Sequence, residues 1–351
     1  MELYILNNDF EIIKYLNDYI SLEWVRRYFD VGDFVLSTVA KMENMDALLH
    51  GSYVAREDCD CIMVIETIPA LKTSAAESNT ITVSGRSIES ILDRRIIWKQ
   101  TTSKASETAE AFIRRLITEN CINPTDTKRK IPRLKLGALK GYTETIDKQV
   151  TGDNLLTVIK EICVSYGYGF KIRIDEEGNL VFDLYKGIDR SYNQTENPYV
   201  TFSNDFDNLA NTEYSYDKSN YKNVALIGGE GEGTERKYRT VGDAQGLNRY
   251  ELFVDAKDIS SNNGEIELAE YNKLLDERGY EKLEEQQITE EFTGEVEATR
   301  MYRYKEHYDL GDIVQVENEY EISASPRILE VIESQNENGY RVVPTFGAWE
   351  V

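Results

Sequence analysis

Histidine is almost missing from this chain: 351 residues contain two, His50 and His307, and neither sits in an HExxH or triad-like pattern. General acid–base catalysis by histidine has little to draw on, and no catalytic residue is assigned. Cysteine is scarce as well. Cys59, Cys61, Cys121 and Cys163 are too few to staple a chain of this length, which fits synthesis in a reducing cytoplasm. The close pair, Cys59 and Cys61, lacks the two further N or S ligands of a tetrahedral zinc site, so both thiols are expected on one face of a strand and no metal is expected. No run approaches the roughly 18 to 20 apolar residues that span a bilayer, and the acidic start MELYILNNDFEIIK lacks the positive region of a secretory signal. Positive charge is short too: 40 Lys and Arg face 63 Asp and Glu, a formal charge of -23. This balance disfavours general nucleic-acid binding, which needs surplus cations to neutralise phosphate.

What remains is ample material for folding. A 41% hydrophobic content supports real cores, and the length fits two to three domains. One glycine-rich run, Leu226 to Gly233, follows a plausible strand, but Glu230 and Glu232 stand where a phosphate would approach. The residues after it read as extended, not as a helix whose N-terminus would hold an anion, so no nucleotide or other cofactor is expected. With 63 carboxylates, some glycosidase-like pair must exist by chance and carries no information. The one basic run, TDTKRKIPRLKLGALK, sets six bases against one acid. It reads as a solvated loop and guarded strand edge, with docking of an acidic partner surface as the alternative.

The first hundred residues carry short β-branched and aromatic runs divided by NND, ND, DVGD and KTSAAESN, the pattern of an antiparallel barrel or sandwich. The period then changes. SETAEAFIRRLITENCI puts Ala109, Phe112, Ile113, Leu116 and Ile117 on one helical face. GDNLLTVIKEICVSYGYG does the same with Leu155, Leu156, Ile159, Ile162, Cys163 and Tyr166, with Asp153 as N-cap and Gly167 as stop. FKIRIDEEGNLVFDLYKG follows as a hairpin turning at Gly178 and Asn179. Strands return from Tyr199, including NVALIGG. Then comes a third helix with Ile266, Ala269, Leu274, Leu275 and Leu283 as its buried side, in a segment (265–297) holding twelve acids and three bases. The end of the chain, from EATRMYRYKEHY through GDIVQVEN and RILEVIES to YRVVPTFGAW, is read as strands.

The two β regions echo each other. YFDVGDFVLSTV and HYDLGDIVQVEN share an aromatic residue, D-[VL]-G-D and a following strand. Each is followed by a strand containing Ile-Glu (VIETIPAL, EVIESQ), a polar turn and a strand ending in glycine. In D-x-G-D the glycine supplies a conformation that Cβ forbids and the aspartates bond turn amides, which singles out Asp30, Gly32, Asp33, Asp309, Gly311 and Asp312 as barrel turns. The shared order of elements points to a duplicated module with a helical unit between the copies.

The stretches YISLEWVRRYFDVGDFVL, SGRSIESILDRRII, ETIDKQVTGDNLLTVIKEICVSYGYGF, LVFDLYKGIDRS, NPYVTFSNDFDNLANTEYSYD and YKNVALIGGEGEGTER together resemble the ReqiPepy-type Gp37-like siphophage tail proteins, hub proteins of phage tail tips. The resemblance runs over nearly the whole chain and departs from the family at NEYEISASPR, where a glycine-containing hairpin is usual. It implies an α+β, multidomain phage tail hub fold with two similar antiparallel β-barrel (tube-type) domains and a helix-containing mixed domain. The expected division is a first barrel at 1–100, the mixed domain at 101–197, a discontinuous second barrel at 198–233 and 295–351, and an acidic helix-containing insertion at 234–294. It further implies a homotrimer forming a pseudo-hexameric ring, with a channel for tape measure protein and DNA in transit. Its partners would be the distal tail protein or tube ring, the tape measure C-terminus, and tip spike, fibre or receptor-binding proteins. The location implied is the virion tail tip or baseplate. Arg94, Arg95 and Arg190 are the candidate subunit contacts, with ordinary surface ion pairs as the alternative. An acidic lumen would keep the passage non-adhesive, with solubility at the outer surface as the alternative role of the excess acid. Rival readings are a tail-tip cell-wall hydrolase, a glycan-binding receptor module suggested by 23 tyrosines, and the equivalent hub of a tail-like bacteriocin.

Overall fold

The computed structural model describes residues 1–50, 53–68, 80–296, 301–317 and 323–347; of 49–50, 210–213 and 290–296 only the backbone is described. The loop KTSAAESN, the end of VIETIPAL and the first part of NEYEISASPR fall outside these residues. The chain is mixed α+β, mostly sheet with few helices. Among the described residues the sheets are open in strand order, and none closes edge to edge into the barrel that the strand pattern suggests.

The largest sheet is built from both ends of the chain. Its seven strands run in the order Leu209–Asp217, Thr289–Val296, Gly339–Phe346, Ile328–Asn336, Tyr19–Arg27, Asp33–Val39 and Thr80–Arg86. Every neighbouring pair is antiparallel. The two β regions are joined where Ile328–Asn336 pairs with Tyr19–Arg27, from Glu330 opposite Arg27 to Gln335 opposite Leu22. A four-stranded sheet (Ile12–Leu16, Leu3–Leu6, Tyr53–Arg56, Cys59–Val64) packs on the N-terminal part of it through Leu3, Ile5, Trp24, Phe34, Leu36 and Met63. Cys59 and Cys61 both face this core, as their spacing predicts. A helix that the strand-rich pattern conceals, α1 (Met42–His50), closes one end with Ala47 and Leu48.

The middle of the chain follows its sequence closely. In α2 (Ala109–Ile117) all five expected apolar positions are fully buried. Helix α3 (Leu155–Tyr166) buries Leu155, Leu156, Ile159, Ile162 and Cys163, while Tyr166 is half-buried. Its N-cap is Asn154, not Asp153: the Asn154 side chain accepts from the Thr157 amide. Gly167 ends it in the left-handed region, at φ 67°. The hairpin Gly169–Ile174 and Leu180–Tyr185 forms as predicted, with Leu134–Leu136 added in parallel. This unit shares one core with Val31, Ile62, Val64, Ile88, Ile91 and Leu92 of the first β region, so the two are packed as a continuous body.

In the acidic segment, Val224–Gly228 pairs with Tyr238–Val241 and Glu251–Asp255, not with the C-terminal strands to which the sequence pattern assigns it. Helix α4 (Leu268–Glu284) covers one face of this small sheet with Tyr271, Leu274, Leu275 and Leu283. Ala269 is exposed and Tyr271 holds the buried position instead, because the face meeting the sheet lies half a turn away. The described part of EATRMYRYKEHY, 301–308, is turn and not strand: Lys305 adopts φ 67° and the backbone closes on itself from His307 to Arg303 and from Lys305 to Tyr308.

Candidate functional site

The two D-x-G-D turns repeat their local geometry. Asp30 Oδ1 accepts from the Val31 amide and Asp309 Oδ1 from the Leu310 amide, each at 2.7 Å. The second aspartate of each turn meets an arginine: Asp33 accepts from Arg27 at 2.5 Å and Asp312 from Arg190 at 2.8 Å. The glycines differ in their reason. Gly311 has φ 93°, as the sequence reading expects. Gly32 has an ordinary backbone, and glycine is required there because a Cβ would lie 2.1 Å from the Val25 carbonyl oxygen. The strands that follow also diverge, since Asp33–Val39 enters the seven-stranded sheet while Gln315–Glu317 pairs with Thr201–Ser203 and Ser323–Ala324.

Both turns meet at Tyr28. Its ring is fully buried, and a Cβ on either Gly169 or Gly311 would fall within 2.4 Å of it. The hydroxyl donates towards the Gly167 carbonyl at 3.0 Å, with the Tyr185 carbonyl at 3.3 Å, and accepts from the Gly187 amide at 3.2 Å. The Arg327 guanidinium sits 5.3 Å from the ring centroid. One tyrosine thus ties the first β region, the mixed unit and the C-terminal β region together. Arg27 reinforces the seam by bridging Asp33 and Glu330. Deeper in, fully buried Arg56 pairs with buried Glu333 at 2.9 Å and with Asp58 at 2.7 Å, 5.3 Å from the Trp24 ring. Burial opposes the Arg56 charge, but the two carboxylates more than offset this and hold its pKa above the ordinary arginine value.

The sequence profile of the family described as Siphovirus ReqiPepy6 Gp37-like protein matches residues 2–348. The chain belongs to that family. No curated protein matches it. Among solved structures it is similar to the tail protein from Neisseria meningitidis MC58 (TM-score 0.59, 14% identity, 99% of this chain and 96% of that one). It is likewise similar to the prophage MuSo2 43 kDa tail protein from Shewanella oneidensis (TM-score 0.55, 14%, 99% and 98%). The prophage tail protein gp18 from Listeria monocytogenes EGD-e follows (TM-score 0.54, 13%, 99% and 94%). At such identities the likeness is one of fold, and it extends over the full length of both partners.

The three arginines of this Gp37-like chain have different fates. Arg190 is largely buried and committed within the chain: its Nε donates to Asp312, and its backbone joins Ile313 and Val200. Arg95 is half-buried and donates to the Arg129 and Arg94 carbonyls. Arg94 is exposed, beside a groove lined by Phe10, Tyr53, Ile91 and Arg133. The glycine-rich run holds Glu230 in place by bonds from Lys237 and the Ser261 amide; against the effect of burial, these pull its pKa down to about 2. His307 lies in an exposed turn, its Nδ1 accepting from the Arg303 amide. Among the described residues no group of three or more His, Cys, Asp or Glu is placed to hold a metal ion.

Sequence reasoning missed Tyr28, the Arg56–Glu333 pair and Lys148. Tyr28 precedes the turn motif and its position was legible as the aromatic of that motif. Nothing local marks Glu333 as the partner of Arg56 or Glu281 as a partner of Lys148, 277 and 133 residues away.

Proposed function

We propose that the chain is a noncatalytic structural protein of a phage tail tip, the hub that continues the tail tube. The observation that carries the reading is family membership over residues 2–348, and the full-length fold likeness to tail proteins supports it. In this reading the two β regions that carry the D-x-G-D turns are the tube-type modules, residues 101–197 are the mixed domain, and the acidic segment is an insertion. The strand pairing favours starting that insertion near Lys218, ahead of Val224–Gly228. Three copies contributing two modules each make six wall positions, which adapts a sixfold tube to a threefold tip through heterologous contacts around a ring. The seam at Tyr28 and the shared sheet suit this role, because two modules held in fixed register present a rigid pair of wall positions.

The partners in this reading are the distal tail protein or tube ring, the tape measure C-terminus, and tip spike, fibre or receptor-binding proteins, all within the virion tail. Tape measure protein and DNA pass through the bore, and a formal charge of -23 favours a wall that repels phosphate. Native mass spectrometry and particle imaging of the purified protein test the proposal. A ring of three with an open, acidic bore is expected, together with no release of fragments from purified peptidoglycan. A basic bore, or hydrolysis of peptidoglycan, would defeat it.

A further inference from the structure

The surface around Trp98 runs against the character of the rest of the molecule. Trp98 is 63% exposed and Ile96, two residues before it on the same extended segment, is 45% exposed. The Arg129 guanidinium lies 4.6 Å from the indole centroid and donates to the Ile96 carbonyl at 2.6 Å. A groove of about 590 Å³ opens beside the ring, lined by Lys99, Arg115, Asn120 and Asn123 together with Glu119 and Asp126; Arg115 is taken up by Glu107 and Glu119. Lys99 and Arg129 stand on its wall, Arg95 donates to the Arg129 carbonyl, and exposed Lys128 and Lys130 flank Arg129 in the chain. None of these five has a carboxylate partner among the described residues; Arg95, Lys99 and Arg129 bond neutral oxygens. In a chain with 63 carboxylates for 40 cations, leaving five cations together without partners keeps positive charge available beside an exposed tryptophan. Tryptophan and arginine in a desolvatable pocket are the residue types that anchor protein interfaces.

The complementary surface is on the same chain. Helix α4 and its N-cap carry Glu267, Glu270 and Glu284, all exposed and none with an ion-pair partner among the described residues, and Leu268 and Tyr280 are 61% and 57% exposed. Acid interleaved with apolar side chains matches base interleaved with apolar side chains.

We infer that the Trp98 groove and its cations receive the acidic α4 face of a second copy of this chain. This is a head-to-tail contact that closes the ring, and it rests on the trimer reading above. The test uses full-length protein mixed from isotopically light and heavy preparations, coupled by a carbodiimide that joins amines to carboxylates at contact distance. Links from Lys99, Lys128 or Lys130 to Glu267, Glu270 or Glu284 in mixed light–heavy pairs are expected. The trimer read by native mass spectrometry should weaken about tenfold or more in Trp98→Ala and in Lys128→Glu with Lys130→Glu. It should also weaken with added salt. Mixing the Lys128→Glu, Lys130→Glu chain with a Glu267→Lys, Glu270→Lys chain should restore association. A trimer indifferent to all these variants, or links confined to single copies, overturns this contact while leaving the ring reading standing. A chain that stays monomeric at every concentration overturns both. Saturable occupation of the groove by a different acidic protein, with the trimer intact, overturns it as well.

Discussion

Tyr28 gives the sharpest tests at the scale of single residues. Removing its hydroxyl leaves the Gly187 amide and the carbonyl it serves without a partner in a buried seam, so Tyr28→Phe should cost about 1–3 kcal/mol in urea-induced unfolding. Gly311→Ala combines φ 93° with a Cβ 2.2 Å from the Tyr28 ring, and should abolish soluble folded protein where Tyr28→Phe does not. Glu89 offers a test by pH. Its carboxyl is buried, accepts one bond from the Ile172 amide at 2.7 Å, and leaves Oε2 without a partner; burial raises its pKa above the ordinary value of 4.5. A raised folded-state pKa favours folding while the group is protonated, and that contribution is lost as pH rises through the folded value. Glu89→Gln should therefore raise the melting temperature at pH 7 to 8 and change it little at pH 4. An equal effect at both pH values would refute the burial argument.

Among the elements, α4 shows where pattern reading holds and where it stops. The 3.6-residue period located α2 and α3 and their inward faces, because apolar spacing alone decides which side of a helix is dry. In α4 the acidic background blurs the stripe: the spacing points to Ala269 where Tyr271 is buried, and only the sheet beneath shows which side is covered. Helix α1 is hidden among strands because, of its described side chains, only Met45, Ala47 and Leu48 meet the core, too few to mark an apolar face. What fastens α4 to the mixed unit is Lys148, 4% exposed and paired with both Glu161 and Glu281. Lys148→Met leaves largely buried Glu281 without its main partner, at a cost on the order of 3 kcal/mol, and Arg278 at 3.9 Å offers only a weak substitute. Hydrogen exchange should accelerate in α4 and the sheet beneath it, leaving the seven-stranded sheet protected. Uniform acceleration would show that the acidic unit does not open separately.

For the whole molecule, the surplus of acid sets the behaviour towards nucleic acid. With a net charge of -23 the protein should give no shift of double-stranded DNA in gels even at about 50 mM salt, where phosphate-binding proteins bind best. A shift at that salt would mean the cations around Trp98 act on phosphate and not on carboxylate.

The sequence by itself determined the local chemistry: the helices of the mixed unit, the hairpin at Gly178, the two D-x-G-D turns, and a family resemblance that the full-length profile match bears out. Each depends on residues within a few positions of one another, where spacing and backbone preference suffice. The tertiary structure decided that both ends of the chain share one sheet, that Val224–Gly228 sides with the acidic segment, and that Arg190 is committed inside the fold. Strand partners and buried ion pairs are chosen by which surfaces exclude water together. That choice is made by the folded chain as a whole and leaves no mark in any single stretch of sequence.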